Sequence, residues 1–551
     1  AKEKNLLNKP GWKRFKWLAK REKVINQLIK QARLRSFRLQ PKYKYGFKVP
    51  QDYCHAMQLD KQNGNTKWQE AVDTEYELVV IEYEAFIDKG KFSIEKIPDG
   101  YKLIKVHMVF DVKPDTRHRG RLVADGHLTD IPLESVYSGV VSLKGLRACI
   151  FLGELNGMEA WGTDISSAYL CAKTSEKVCI RAGPEFGPLA GHLLIIDKAL
   201  YGLKSSGRQF NHQLQDVLAT LGFNQSKAED SIFIRKSPFK DCYEYIATYV
   251  DDLCIVVMDP EAFIEALANN KIHPYKLKGS GPLNFHLGCA FKRDDDGTLY
   301  QDASQYAERM KDNYKTLFPG KRPSNRKYRQ PLDTNDHPEL DTSAFCDKDD
   351  KEKYQSLIGS MQWAMSLGRF DIMTAVMTMS SFRECPRVGH LDRLHRMVSF
   401  LYQFRGAKLR YRTEKPEFPT TPDIPPLDWK YTPYGNPLEQ LPLDAPKPLG
   451  KSVQLTTFYD ANLMHDMLTG RSVTGFLHFW NKTPMDWYSK KQKTTETATY
   501  GSEFLACRTA FEHLVADRNY LRYLGVPIEM FRMCLVITNH KLVVVLYRNR
   551  S

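Results

Sequence analysis

The sequence lacks the patterns that mark secreted, disulfide-bonded and membrane-spanning proteins. Its 11 cysteines are an odd number and include no C-x-x-C pair, which argues against a disulfide framework or zinc module and favours a reducing compartment. No apolar run approaches the roughly 18 residues that a membrane span needs. The chain begins at Ala1 without an initiator methionine or the apolar core of a signal peptide. We therefore expect a processed or excised piece of a longer protein, with no membrane partner.

Positive charge is concentrated at the N-terminal end. The 551 residues carry a net charge of +15, and residues 1–45 alone hold fifteen Lys and Arg against Glu3 and Glu22, a net of +13. Such a basic segment favours an anionic partner such as nucleic acid. Apolar residues at helical spacing between Leu18 and Ala32 predict a basic helix. Binding along phosphates, a solvated helix and a nuclear localisation patch all remain open for it.

A pair of aspartates interrupts two apolar runs. Residues 243–250 and 253–258 are rich in β-branched and aromatic residues and flank Asp251 and Asp252, which predicts two strands joined by a tight acidic turn. Adjacent carboxylates repel one another unless a cation neutralises them, although a solvated loop is the common alternative for such a pair. Asp164 ends another predicted strand. Three carboxylates so placed suit phosphoryl transfer with two Mg²⁺ about 4 Å apart.

Three segments carry a family resemblance. Residues 164–170 (DISSAYL), 198–206 (KALYGLKSS) and 249–252 (YVDD) resemble, in this order, core motifs of the reverse transcriptase of copia-type LTR retrotransposons. The resemblance implies an α+β fold, a right-hand polymerase of fingers, palm and thumb followed by an RNase H-like α/β domain. It also implies RNA- and DNA-directed DNA synthesis with two Mg²⁺, or Mn²⁺ instead, held by Asp164, Asp251 and Asp252.

The same resemblance implies a nucleotide-binding set. Basic residues in and beside a predicted β-hairpin would close over the incoming triphosphate, although solvated charge is the alternative for each: Lys105, Arg119 and Arg121. Tyr169 matches the position whose ring lies against the sugar and excludes a ribose 2′-OH, with an ordinary core aromatic as its alternative. Tyr201 and Gly202 match the segment that supports the template base and the nucleotide.

Two further segments continue the resemblance up to the linker. Leu287 and Gly288 fall in the segment that leads to the primer grip. The acidic run 294–297 is interpreted as a hairpin turn and not as a metal site. Residues 416–448 hold ten of the 29 prolines, which predicts an extended linker.

An RNase H-like domain is predicted after the linker. Asp460, at a strand end, and Glu503, on a helix, match its first two metal ligands. Where the family has an Asp-Asn pair this chain has Thr538 and Asn539, and it reaches Ser551 before the fourth carboxylate. Because Mg²⁺ bound by two carboxylates is under-coordinated, we predict an RNase H fold with impaired or absent hydrolysis.

The resemblance covers essentially residues 12–550 and predicts five regions. They are a basic arm (1–45), fingers and palm (46–275), primer grip with thumb and connection helices (276–415), a linker (416–450) and an apparently truncated RNase H-like domain (451–551). No Asp-Thr-Gly or Asp-Ser-Gly triplet and no His-His-Cys-Cys module occurs, so we expect the end of a Pol polyprotein without its protease and integrase.

The implied partners are an RNA template, a DNA primer, RNA–DNA hybrid and dNTPs, in a cytoplasmic virus-like particle or the nucleus. A dimer and contacts with particle proteins remain open. The main alternative is a catalytically decayed or domesticated nucleic-acid-binding protein. A remoter one is an RNA-dependent RNA polymerase, which Tyr169 and the RNase H-like domain oppose.

Overall fold

The computed structural model describes residues 42–113, 115–130, 135–417 and 443–529 in full, and the backbone alone of residues 532–535 and 543–546. The predicted basic helix, most of the proline-rich segment and the Thr538-Asn539 pair lie outside the described residues.

Helices and strands are mixed along the chain, in agreement with the predicted α+β class. The described strands are β1 Lys42–Lys44, β2 Phe47–Val49, β3 Phe86–Lys91, β4 Lys102–Ile104, β5 Val106–Val112, β6 His118–Ala124, β7 Glu159–Ile165, β8 Val178–Arg181, β9 His192–Ile196, β10 Asn224–Ser226, β11 Glu229–Lys236, β12 Tyr243–Tyr249, β13 Asp252–Val257, β14 Leu277–Pro282, β15 Phe285–His286, β16 Cys289–Arg293, β17 Leu299–Asp302, β18 Lys408–Arg410, β19 Leu455–Asp466, β20 Arg471–Trp480, β21 Thr483–Lys491, β22 Arg532–Leu535 and β23 Val543–Leu546. The described α-helices are α1 Tyr53–Asn63, α2 Lys67–Tyr76, α3 Leu143–Asn156, α4 Ala168–Cys171, α5 Ser206–Thr220, α6 Pro260–Ala268, α7 Ser304–Leu317, α8 Lys348–Ser366, α9 Met373–Ser380, α10 Val388–Gln403 and α11 Thr499–Tyr523.

The described chain divides into two compact units. The first unit contains the described residues up to Tyr137 together with residues 169–210, and the second contains residues 138–168 and the described residues from Asn211 onward. This division follows the density of contacts, and the five predicted regions remain a prediction.

The first unit is built from short sheets and two helices. Its four-stranded sheet has the order β3-β9-β8-β4, and β1–β2 and β5–β6 are hairpins. Asp52 caps the N-terminus of helix α1. Its carboxylate accepts a hydrogen bond from the His55 N–H at 2.8 Å and so satisfies one free donor of the first turn. Trp68 and Ala71 of α2 are buried.

The second unit contains the six-stranded sheet β10-β11-β12-β13-β7-β14, with every neighbouring pair antiparallel. The predicted hairpin is present as β12 and β13. Helix α3 packs on this sheet through apolar side chains, because nearly every residue between Leu146 and Leu155 is buried.

Two further sheets complete the second unit. Strands β15 to β18 form a four-stranded sheet in chain order, and residues 294–297 form the turn predicted between two of its strands, with Gly297 at a φ of 79°. The C-terminal module comprises α11 and the sheet β21-β20-β19-β22-β23, in which β22 runs parallel to β19. Within the described ranges, no helix combines the length and apolarity that a bilayer crossing requires.

Candidate active site

The three carboxylates predicted for catalysis lie on neighbouring strands of the six-stranded sheet. Asp252 begins β13 and stands directly opposite Asp164 of β7 in the strand register. The Asp251 carbonyl accepts a hydrogen bond from the Ile165 N–H at 2.8 Å. Antiparallel pairing of β7 with β13 therefore brings together acidic residues that are far apart in the sequence.

The acidic turn is tight and strained. Tyr249 and Asp252 pair directly, so Val250 and Asp251 form a two-residue loop. Val250 has a φ of 59°, in the left-handed region that β-branched residues rarely adopt. Holding an L-residue there costs roughly 1–2 kcal/mol. Backbone strain of this kind persists only where the surrounding structure enforces it, and strained residues are concentrated at functional sites.

The proximity of the three carboxylates affects the electrostatics of the turn. Burial, followed by the charges of Asp251 and Asp164, raises the pKa of Asp252 to about 6. Carboxylate oxygens are the donors that Mg²⁺ prefers, and a cation would relieve this repulsion. Yet among the residues described here, no three His, Cys, Asp or Glu side chains already converge as a metal site. The chemistry of the donors fits Mg²⁺, and the two-metal site stays a prediction.

A cation beside this site was missed in the sequence. Lys278 of β14 stands opposite Asp164 on the side away from Asp252. Directly opposed residues of antiparallel strands point to the same face of a sheet, so Lys278 shares a face with both carboxylates. The sequence could not place Lys278 beside Asp164, because β14 and β7 are far apart in the chain. The alternation of polar and apolar residues around Leu277 indicated only that a strand was present.

Four of the predicted nucleotide-binding residues lie together in the first unit. The Arg121 guanidinium lies 4.7 Å from the centroid of the Tyr201 ring. The Tyr201 ring lies 5.0 Å from that of Tyr169, which in turn lies 6.4 Å from that of Phe210. Burial and the neighbouring Arg121 charge lower the pKa of Arg119. We call these residues, without Phe210, the arginine–tyrosine cluster.

Gly202 is required by its surroundings. Its φ is 94°, and a Cβ added there would lie 2.1 Å from the Ala124 carbonyl oxygen. The Ala124 N–H donates to the Tyr201 carbonyl at 2.7 Å, so this segment lies directly against the end of β6. Lys105, between β4 and β5, is exposed.

The predicted primer-grip residues form the turn between β15 and β16. Leu287 has a φ of 45° and Gly288 a φ of 91°, and the flanking His286 and Cys289 pair directly. Two left-handed residues in succession are typical of the tightest hairpin loops. Burial lowers the pKa of the neighbouring His286 to about 4. The primer-binding role stays a prediction.

The C-terminal module brings two predicted metal ligands together. Burial and then the Asp460 charge raise the pKa of Glu503, whereas the Ala461 N–H lowers it. The pKa of Asp460 is also raised, chiefly by burial. Leu535, the last residue of β22, stands opposite Tyr459, so β22 ends beside Asp460. The predicted third position follows this strand, outside the described residues.

Comparison with known families assigns the region around the carboxylates. Residues 89–316 match the family described as reverse transcriptase (RNA-dependent DNA polymerase). This range contains Asp164, Asp251 and Asp252, the arginine–tyrosine cluster and the β15–β16 turn. Residues 89–316 are therefore similar to reverse transcriptase domains.

The relatives are polyproteins of transposons. The chain is 24% identical to the retrovirus-related Pol polyprotein from transposon TNT 1-94 of Nicotiana tabacum, over 81% of this chain and 31% of that protein. It is 24% identical to the Pol polyprotein from transposon RE1 of Arabidopsis thaliana (70% and 23%) and 25% identical to the Ty1-DR1 Gag-Pol polyprotein of Saccharomyces cerevisiae (63% and 20%). These findings confirm the predicted resemblance to copia-type Pol polyproteins. The chain spans about a fifth to a third of the length of these relatives.

The foamy viral protease-reverse transcriptase in complex with double-stranded DNA is one of the solved structures similar to this chain. It aligns over 85% of this chain and 62% of its own, at 13% identity and a TM-score of 0.23.

Proposed function

We propose that this chain is an RNA- and DNA-templated DNA polymerase of a copia-type element, with fingers, palm and thumb. The observation that carries the proposal is the placement of Asp252 opposite Asp164, beside a strained turn that holds Asp251, inside the region that matches the reverse transcriptase family. Its partners would be template, primer, RNA–DNA hybrid and dNTPs, in a particle or the nucleus.

Each residue group has a distinct task in this proposal. Asp164 and Asp251 would hold two Mg²⁺, or Mn²⁺, with Asp252 in support. Bound there, the ions would lower the pKa of the primer 3′-OH and offset the charge that develops on the triphosphate. Arg119, Arg121 and Lys105 would bind phosphates, since guanidinium groups pair with phosphate oxygens.

The remaining residues would select and place the substrates. The ring of Tyr169 would lie against the sugar and exclude a 2′-OH, which favours deoxynucleotides. Tyr201 and Gly202 would support the nascent base pair. Leu287 and Gly288 would hold the primer end.

The test is primer extension on poly(rA)/oligo(dT) with dTTP and Mg²⁺. Asp251→Asn should reduce extension by at least about a hundredfold, because a neutral amide holds Mg²⁺ poorly. Binding of the duplex should persist, since it depends on phosphate contacts elsewhere. Undiminished extension by Asp251→Asn would refute the site.

Failure of both the native chain and the variant to extend a primer, with salt-sensitive duplex binding retained, would instead favour the decayed or domesticated binding protein. Asp295→Asn, in the exposed turn 294–297, is a matched control and should extend normally.

The C-terminal module is proposed to have an RNase H-like fold with weak or absent RNA hydrolysis. Its support is the proximity of Asp460 to Glu503, and the replacement of the family's third carboxylate by Thr538. Thr538→Asp should therefore create or raise Mg²⁺-dependent cleavage of the RNA strand of a hybrid by about tenfold or more. Both proteins would carry Asp164→Asn to silence synthesis. Strong cleavage without the Thr538 change would contradict the proposal.

A further inference from the structure

Helix α3 lies between the six-stranded sheet, which carries Asp164 and Asp252, and the C-terminal module. On one side, α3 approaches β13 so closely that a Cβ added to Gly153 would lie 2.4 Å from Cγ1 of Val256. Val256 pairs with Ala160 of β7, so α3 supports both strands that carry catalytic carboxylates. On the other side, the Phe151 ring lies 5.8 Å from that of Trp480 in β20.

A half-buried cation of α3 contacts the C-terminal module. Lys144 forms an ion pair with Asp517 of α11, and its Nζ lies 2.8 Å from the carboxylate of Asp486 in β21. Asp517 is only 1% exposed, and it also accepts a hydrogen bond from the Trp480 indole N–H at 3.4 Å. His478 Nδ1 lies 3.5 Å from the same carboxylate.

The charges of this network support one another. Burial opposes the charged form of Lys144. The carboxylates of Asp517 and Asp486 nevertheless hold the pKa of Lys144 above its usual range. Burial likewise opposes ionisation of Asp517, and His478 and Lys144 keep its pKa below the usual range. Removing the Lys144 cation should be damaging, because the Asp517 carboxylate that it pairs with would remain buried.

Two further contacts attach α3 to the module. Glu229 accepts hydrogen bonds from the hydroxyl groups of Ser142 and Tyr520, each at 3.0 Å, which joins the N-terminal end of α3 to α11. The Arg147 side chain donates to the Met485 carbonyl at 3.3 Å, and its guanidinium lies 4.5 Å from the Trp487 ring.

We propose that Lys144 is a positioning residue for nucleotide addition, anchoring α3 to the C-terminal module and so holding the strands of Asp164 and Asp252 in place. The inference rests on the proposed polymerase function. It gives the C-terminal module a role in DNA synthesis that does not depend on RNA hydrolysis.

The physical reason is the precision that transfer chemistry requires. A displacement of about 1 Å at reacting groups can lower a rate by about a hundredfold. Loosening α3 should move the carboxylates of β7 and β13. The basic segment 1–45, which is expected to attract the primer-template, is unchanged. The defect should therefore appear in the rate of nucleotide addition and not in substrate affinity.

The experiment is pre-steady-state addition of one dTTP to poly(rA)/oligo(dT) by the full chain. The burst amplitude reports the fraction of correctly folded enzyme, and the burst rate reports the chemical step. Lys144→Met should lower the rate by about tenfold or more at an amplitude within about twofold of the native value. The KM for dTTP should stay within about threefold, and Lys144→Arg, which keeps the cation, should restore most of the rate.

The matched control is Lys227→Met. Lys227 pairs with Asp444, but both side chains are largely exposed, and exposed pairs contribute little. Its burst rate should stay within about twofold of the native value.

The outcomes separate the inference from the proposed function. No extension by the native chain would overturn both, whereas native extension with an unchanged Lys144→Met rate would overturn the inference alone. A loss of amplitude at an unchanged rate would show that Lys144 only aids folding, and would also overturn it. If Lys144→Met does not fold, Gly153→Ala serves as the second variant, because its added methyl group pushes α3 away from β13. A native burst rate in Gly153→Ala would contradict the proposed coupling between α3 and the catalytic strands.

Discussion

At the scale of single residues, Asp252 carries a conflict between stability and chemistry. Its folded pKa of about 6 lies above the ordinary value of 3.8, so the folded state binds the proton more tightly than the unfolded state. Stability contributed by the protonated form is present below about pH 4 and is lost as the pH rises through about 6. At neutral pH this carboxylate therefore destabilises the fold that it serves.

We predict that Asp252→Asn raises the melting temperature at pH 8 by on the order of 2 °C, while extension falls sharply. The gain should disappear towards pH 4, where the native carboxyl group is itself protonated. Differential scanning calorimetry at the two pH values measures both effects, with the exposed Asp295→Asn as the control. An equal change in melting temperature at pH 4 and pH 8 would rule out this explanation.

At the scale of elements, backbone conformation and close approach decide which positions can vary. Gly202 and Gly297 both have a positive φ, but a Cβ at Gly202 would collide with the Ala124 carbonyl, whereas the space around Gly297 is open. The two glycines look equivalent in the sequence. Gly297 is therefore favoured only by its backbone conformation, whereas Gly202 is also required because a side chain there has no space.

Gly202→Ala should therefore destabilise the protein by about 3 kcal/mol, the sum of backbone strain and a steric clash. Gly297→Ala should cost only about 1 kcal/mol, for the strain alone. Urea denaturation of both variants beside the native chain measures the difference. Equal costs would mean that residues 201–202 do not lie directly against β6.

At the scale of the whole molecule, charge is distributed unevenly. Residues 1–45 carry a net +13 of the total +15, so most of the non-specific attraction for a polyanion should come from this segment. Each cation that contacts a phosphate releases counterions and steepens the salt dependence of binding by about 0.9 in the logarithmic slope.

We predict that replacing residues 1–41 with a Gly/Ser segment of equal length makes the slope of log K against log[salt] shallower by about 3 or more. Extension at low salt should persist, because the carboxylates proposed to be catalytic are untouched. Fluorescence anisotropy with a labelled primer-template across a salt series gives the slope. An unchanged slope would place the phosphate contacts elsewhere.

Local pattern determined much of this protein from the sequence alone. The hairpin around Asp251 and Asp252 and the turn at residues 294–297 both follow from short-range patterning and turn chemistry, and the structure confirms them. The order of three motifs also predicted the family, because each motif is contiguous in the chain.

Tertiary structure decided what depends on pairing between distant segments. The position of Lys278 beside Asp164 and the pairing of Lys144 with Asp517 and Asp486 have no local signature. Strand register and helix packing are set by the summed burial of many side chains from remote parts of the sequence. For that reason the sequence alone predicted which carboxylates would act, and only the fold showed what holds them in place.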